Sequence, residues 1–335
     1  MAKDNIAPAH APTEAVPPPR RVSTSGRIFG RGPLNVIKRT LTYLVVFLTL
    51  YYGVLGNWMH RIDANLNFVP PNPVIGGSEA INMAEALILR ETVVHRWSPN
   101  DQIFFPTGLL DNMPNFQRGM LRAISRFIME FENQVARVRG SSAIDRDLER
   151  ATGLVQFPTD TWFFDLEQSL MPIQPAESQY IAAARSLRSF NERVVARAAV
   201  FERRADAMAI VVERMGSELG ARTALIDEHT SGERFIFDTG ADDIFYFNKG
   251  MTYATYLLLR ELRTDFSHIV SNQNLERVMD QALASLREAA RQQPLIVLNS
   301  AGATSLFANH LQLQGFYMKR AILQLDEISR AIRAN

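Results

Sequence analysis

The 335-residue chain contains no cysteine. That excludes disulfides, thiolate zinc sites, a cysteine nucleophile and a lipidated-cysteine anchor. Phosphate-binding loops, GxSxG nucleophile elbows, HExxH and GxGxxG are also missing. Six histidines are scattered at His10, His60, His95, His229, His268 and His310, never three or four residues apart. No helical metal pair exists, and neither a metal nor a cofactor is expected. Net charge is scarce as well. The 36 Lys and Arg residues are balanced by 35 Asp and Glu, leaving +1 and arguing against nucleic acid as a partner.

Charge is missing altogether from Leu41–Trp58, LTYLVVFLTLYYGVLGNW. A bilayer core needs about 20 apolar residues in a helix, so residues 40–58 are expected to form a single transmembrane helix. Tyr51, Tyr52 and Trp58 are the aromatics that favour a membrane–water interface. The run exceeds the core of a signal peptide, and GNWMHRID offers no small-residue cleavage pattern, so the anchor is expected to stay uncleaved. Residues 1–39 are Ala-, Pro-, Ser- and Arg-rich and read as a disordered basic tail. Lys3, Arg20, Arg21, Arg27, Arg31, Lys38 and Arg39 outweigh Asp4 and Glu14 there, which places this tail in the cytoplasm and residues 59–335 outside it. Residues 59–77 read as a linker, stiffened by Pro70, Pro71 and Pro73 into a spacer that lifts the domain off the membrane.

Residues 78–335 show helical periods and almost no strand period, with a possible short strand at Phe235–Phe237. The expected fold is all-α: one N-terminal transmembrane helix, then a large helical bundle. Ser78 can cap a first helix running to near Trp97. The next loop is rich in large apolar residues, as packed loops are, and Asp111 or Asn112 can cap the helix after it. Phe116, Met120, Ile124, Phe127, Phe131, Val135 and Val138 then form one apolar stripe, ended by Gly140. From Ala176 to about Glu228 there is no proline. Tyr180, Ala184, Leu187, Asn191, Val194, Ala198, Phe201, Ala205, Met208, Val212, Met215 and Leu219 step by fours and threes. That 3.5-residue period predicts one long coiled-coil-like helix, with Asn191 as a register marker and, as partner, the chain's own helices ahead of a second copy. Further helices are expected at 243–269, 274–291 and 304–333.

The densest polar cluster is Trp97, Asn100 and Asp101 with Asp111, Asn112, Asn115 and Gln117. Carboxylates and amides around an aromatic loop suit a sugar site or an acid–base pair. Capping and loop hydrogen bonding are the routine work of Asp and Asn at helix starts, and weigh more. Aromatics at 245–256 beside Asp242, Asp243, Lys249 and Arg260 read as core. No catalytic residue is expected.

The basic-flanked anchor, WSPNDQIFFPTGLLDNMPNFQRGMLRAISRF at 97–127 and NHLQLQGFYMKRAILQLDEI at 309–328 together carry a family resemblance. The chain resembles the bacterial membrane-anchored proteins of domain of unknown function 2333, DUF2333. The resemblance implies a bacterial inner-membrane protein, in which a domain outside the cytoplasm would be periplasmic, and brings no activity. The expected role is an envelope scaffold or interaction module, with the bilayer and a protein partner or second copy as its contacts. A sensory or ligand-binding ectodomain is the alternative, and a hydrolase built on Asp101 or Asp111 stands behind it.

Overall fold

The computed structural model describes residues 33–135, 144–164, 171–231, 239–293 and 310–334. Most of the basic tail, Val138, Gly140, the strand expected at Phe235–Phe237 and the start expected for the last helix lie outside these residues. All regular structure among the described residues is helical. Two compact units are present, residues 1–47 and 48–335.

Helix α1 (Pro33–Leu48), a π-helical stretch (Thr49–Gly56) and α2 (Asn57–Met59) follow without a break. Leu34–Met59 is therefore one 26-residue helix, long and apolar enough to cross a bilayer. It begins ahead of residue 40, on Pro33, whose fixed φ suits a first helical turn. In the first unit its apolar side chains, among them Leu34, Ile37, Tyr43 and Val45, are exposed.

The second unit is a helical bundle. Helix α3 (Glu79–Leu89) starts where expected: Ser78 Oγ accepts a hydrogen bond from the Ile81 N–H at 3.2 Å. A second cap was not visible in the local sequence. The Asp265 carboxylate accepts from Ser78 Oγ at 2.7 Å, the Glu79 N–H at 2.9 Å and the Ala80 N–H at 3.1 Å. Burial pushes Asp265 up to about 6, against the pull of those three donors. Beyond Leu89 the helix widens into a π-turn, Arg90–Val94, short of the expected end near Trp97. Helix α4 (Asn112–Gln134) carries the predicted stripe, buried from Phe116 to Val135. Helix α5 spans Arg146–Val155.

The single long helix expected from Ala176 is corrected. Two helices form, α6 (Ala176–Val195) and α7 (Ala205–Ser231). Arg197 has φ 58°, the Ala198 N–H bonds the Arg193 carbonyl at 2.7 Å, and the Arg197 N–H bonds the Val194 carbonyl at 3.0 Å. This is a Schellman terminator with arginine where glycine is usual, a strain of about 1–2 kcal/mol. Its compensation is tertiary. Phe201 leaves the helical path and enters between Phe131 and Phe266, ring centroids 5.6 and 6.4 Å away. The Glu202 N–H then finds the Val135 carbonyl at 3.2 Å. Most of the seam is buried against the chain's own helices, while Ala198 in the break is exposed. Asn191 is fully buried and bonds both backbone groups of Ser78, joining α6 to α3.

Helix α8 (Thr239–Asp265) runs through the centre, followed by α9 (Ser267–Asn272), α10 (Glu276–Arg291) and α11 (His310–Ala334). Helices α4 and α8 cross at Gly119 and Gly250. A Cβ on Gly119 would lie 1.9 Å from the Phe247 carbonyl oxygen, and one on Gly250 would lie 1.9 Å from that of Phe116.

The expected spacer at 59–77 is also corrected, for it is strapped to the bundle. Arg260 donates to the Leu66 and Phe68 carbonyls at 3.0 and 2.7 Å, Tyr253 to Asn65 at 3.0 Å and Arg188 to Asn72 at 2.9 Å. Ile62, Leu66 and Phe68 pack on the core, which a solvated proline spacer would not do.

Candidate functional site

Gln117 is the hub of the predicted cluster. It sits on the second turn of α4, fully buried, and all its hydrogen-bonding capacity is engaged. Its Oε1 accepts from the Ser98 N–H at 2.9 Å and Ser98 Oγ at 2.8 Å, and its Nε2 donates to Glu91 Oε2 at 3.1 Å and the Arg96 carbonyl at 2.9 Å. Glu91 is fully buried too and pairs with Arg90 at 2.8 Å and His95 at 3.1 Å. The bond to Glu91 raises His95 above the usual imidazole range. Arg90 lies over the Phe68 and Tyr253 rings and donates to the Tyr253 hydroxyl at 2.7 Å. The π-turn makes this possible, because its extra residue per turn brings both Arg90 and Glu91 inside.

Trp97 and Asn100 clamp a neighbouring loop. Trp97 Nε1 donates to the Thr159 carbonyl at 3.0 Å, and its ring meets Tyr180 edge-on at 4.9 Å. Asn100 Nδ2 donates to the Thr161 carbonyl at 3.0 Å and Glu177 at 2.7 Å. Asp101 is held by Arg96 at 2.6 Å and by a short bond from Thr107; burial raises its carboxyl, against both partners.

The other predicted residues lie at a different place. Asp111 occupies the N-cap position of α4, where its carbonyl accepts from the Asn115 N–H at 2.9 Å and its side chain makes no capping bond. Asn115 Nδ2 donates to Asp243 at 2.6 Å at the start of α8. Burial pushes Asp242 up to about 6, and the negative charges of Asp111 and Asp243 add to it. Asn112 Oδ1 is buried without a hydrogen-bond partner. The seven residues thus lie at two places, with Trp97, Asn100, Asp101 and Gln117 at one and Asp111, Asn112 and Asn115 at the other, and Asp101 and Asp111 share no partner. Among the aromatics at 245–256, Phe245, Tyr253 and Tyr256 are core, as expected.

A cleft not foreseen from the sequence lies elsewhere. It measures about 610 Å³ between α4, the residues after α5, and α7 and α8. Arg118, Arg122 and Arg222 line it with one carboxylate, Glu218, leaving two positive charges. Glu218 is taken by Arg122 at 2.6 Å and by Arg126 at 3.3 Å. Arg222 stacks over Phe247 at 4.1 Å and donates to Asn248 at 3.1 Å, with no carboxylate on it among the described residues. Burial lowers its pKa, Glu218 pulls the other way, and the like charge of Arg122 adds to the drop. Leu121, Val155, Phe157 and Leu225 supply an apolar wall. The signal was present as Arg118, Arg122 and Arg126 at four-residue steps on α4 and Glu218 and Arg222 on α7, but each step alone reads as a solvated face.

The model of the family described as "Uncharacterized protein conserved in bacteria (DUF2333)" matches residues 71–235 and 238–331. The chain belongs to this family. The match takes in both groups of predicted residues, all four helices around the cleft and the strap from Pro71 onward. No curated protein and no solved structure matches the chain.

Proposed function

We propose that this DUF2333 protein is a single-pass inner-membrane protein whose periplasmic helical domain works by binding, not catalysis, and takes an organic anion with an apolar body. The arginine-lined cleft carries the reading. Its volume lies in the range of small-molecule sites, one wall is apolar, and two guanidinium charges exceed the carboxylate supply. An oxyanion would accept from the free N–H groups of Arg118 and Arg222 and return the counter-charge that burial has removed. Of the carboxylates considered for acid–base work, Asp101 is engaged in fastening its loop, and Asp111 lies at the start of α4 and shares no partner with it. The anchor is supported by Leu34–Met59, whose exposed apolar surface needs an apolar solvent.

The test uses the full chain in detergent, titrated calorimetrically with hexyl phosphate, inorganic phosphate and hexanol. Hexyl phosphate is expected to bind best, with at least a tenfold loss in Arg222→Gln and Arg118→Gln and weakening at about 0.5 M salt. Equal behaviour of wild type and both variants would refute the cleft as the site.

A second reading, the scaffold, is favoured by one observation. Leu313, Phe316 and Leu323 all project from α11 and are exposed. A partner protein or second copy would cover this face. In-cell crosslinking through Leu323 replaced by a photoreactive residue should then yield a defined higher-mass species, and a monomer alone would speak against it.

A further inference from the structure

Two loops beside the apolar helix carry exposed aromatics of their own. Residues 102–110, QIFFPTGLL, hold no charge, and Ile103 and Phe104 are 69% and 55% exposed. Residues 161–164, TWFF, lie against them: Trp162 meets Phe104 at 5.7 Å and Phe164 at 5.9 Å. Phe164 is 51% exposed and Leu109 56%. An apolar patch of this kind on a water-soluble surface marks a contact with something apolar.

The patch is joined to the last turns of the apolar helix. Tyr52 donates its hydroxyl to the Ile103 carbonyl at 2.6 Å, and Tyr51 donates to that of Phe104 at 2.9 Å. Gly56 is buried where a Cβ would stand 2.3 Å from the Pro106 carbonyl oxygen, so helix and loop backbones touch. The loop pairs part of its own backbone. The N–H groups of Phe105, Gly108 and Leu110 bond the carbonyls of Gln102, Phe105 and Thr107 at 2.9–3.0 Å. Each pairing of this kind lowers the cost of irregular backbone near lipid. The strap at 60–77 holds the rest of the bundle close to the same helix end.

We infer that the patch formed by residues 103–109 and 162–164 dips into the outer leaflet of the bilayer crossed by Leu34–Met59, as a second membrane contact that fixes the domain's orientation. Continuity with the apolar helix identifies the occupant as lipid of that same membrane. Arg96, stacked over Phe105 at 4.1 Å, stands at the patch border, where a guanidinium meets lipid phosphates.

The inference rests on the reading of Leu34–Met59 as a span, and its test separates the two. The cysteine-free chain takes single cysteines at Phe47, Phe104, Phe164 and Leu323, each labelled with an NBD fluorophore. Full-length protein is reconstituted in vesicles of phosphatidylethanolamine and phosphatidylglycerol at about 3:1, with or without nitroxide-labelled lipid. Labels at 104 and 164 are expected to shift to the blue and to lose at least half their intensity to lipid nitroxide. The label at 323 should respond only to aqueous iodide. Iodide quenching at 104 and 164 equal to that at 323, with 47 still quenched from the lipid, overturns the patch and leaves the anchor standing. Iodide access at 47 overturns the anchor and the inference with it. A second pair, Phe104→Ser and Phe164→Ser with the label moved to Leu109, should return that label to water; unchanged lipid quenching there would show that these aromatics do not hold the contact.

Discussion

At the scale of single residues, the backbone bears strain of two opposite kinds. Gly119 and Gly250 allow α4 and α8 to approach until side-chain atoms would overlap carbonyl oxygens. Because the obstacle is backbone, no rotamer change relieves it. Gly250→Ala should cost about 3 kcal/mol by forcing the helices apart. Thermal unfolding followed by circular dichroism should then show a Tm lower by roughly 5–10 °C. Arg197 is the reverse case, exposed and in the left-handed region with nothing but the chain path to require it. Arg197→Gly should raise stability by about 1 kcal/mol in denaturant titrations, since glycine enters this region without the Cβ clash. Neither kind was legible as strain. A glycine inside a helical pattern reads as a weakness, and an arginine in a proline-free run reads as helix.

At the scale of elements, the start of α8 and the start of α4 bring Asp111, Asp242 and Asp243 together. Asp242 is raised from 3.8 to about 6, so between those values the folded state holds a proton that the unfolded chain has released. Stability therefore falls as pH rises through that window and levels off above it. Asp242→Asn removes the titration. Its advantage over wild type should grow from near zero at about pH 4 to its full size by about pH 7, as measured by urea unfolding at each pH; an advantage constant with pH would show that Asp242 does not titrate there. The elements themselves were largely readable. Ser78 as a cap, the stripe along α4 and the apolar character of the 97–115 loop follow from residue types at fixed spacing. The break at 196–204 was not, because Phe201 leaves the helix for Phe131 and Phe266, residues about 70 positions away on either side.

At the scale of the whole molecule, the strap and the hub both fasten the region that follows the apolar helix. Gln117 is bonded by four groups, and truncating it leaves buried donors and acceptors open. Gln117→Ala should cost about 3 kcal/mol and loosen residues 91–101 first, visible as faster amide exchange there than in α10. The proposed topology has its own measurement. Protease added to spheroplasts should degrade the domain, and protease added to inverted vesicles should leave it intact; the opposite pattern would place the domain in the cytoplasm.

By itself the sequence determined the composition-level facts: an uncharged stretch suited to lipid, and a helical chain whose apolar stripes must face a common core. These come from local periodicity, which each segment carries alone. Only the tertiary structure decided what the polar residues do. Trp97, Asn100, Asp101 and Gln117 fasten loops, and Arg118, Arg122 and Arg222 gather at one cleft, because partners far apart in the chain set the surroundings of each. The same is true of charge. Glu218 makes its ion pairs with Arg122 and Arg126 on α4, while its own neighbour Arg222 bonds Asn248 and lines the cleft. Spacing along a helix tells which residues share a face; which face it meets is a property of the fold.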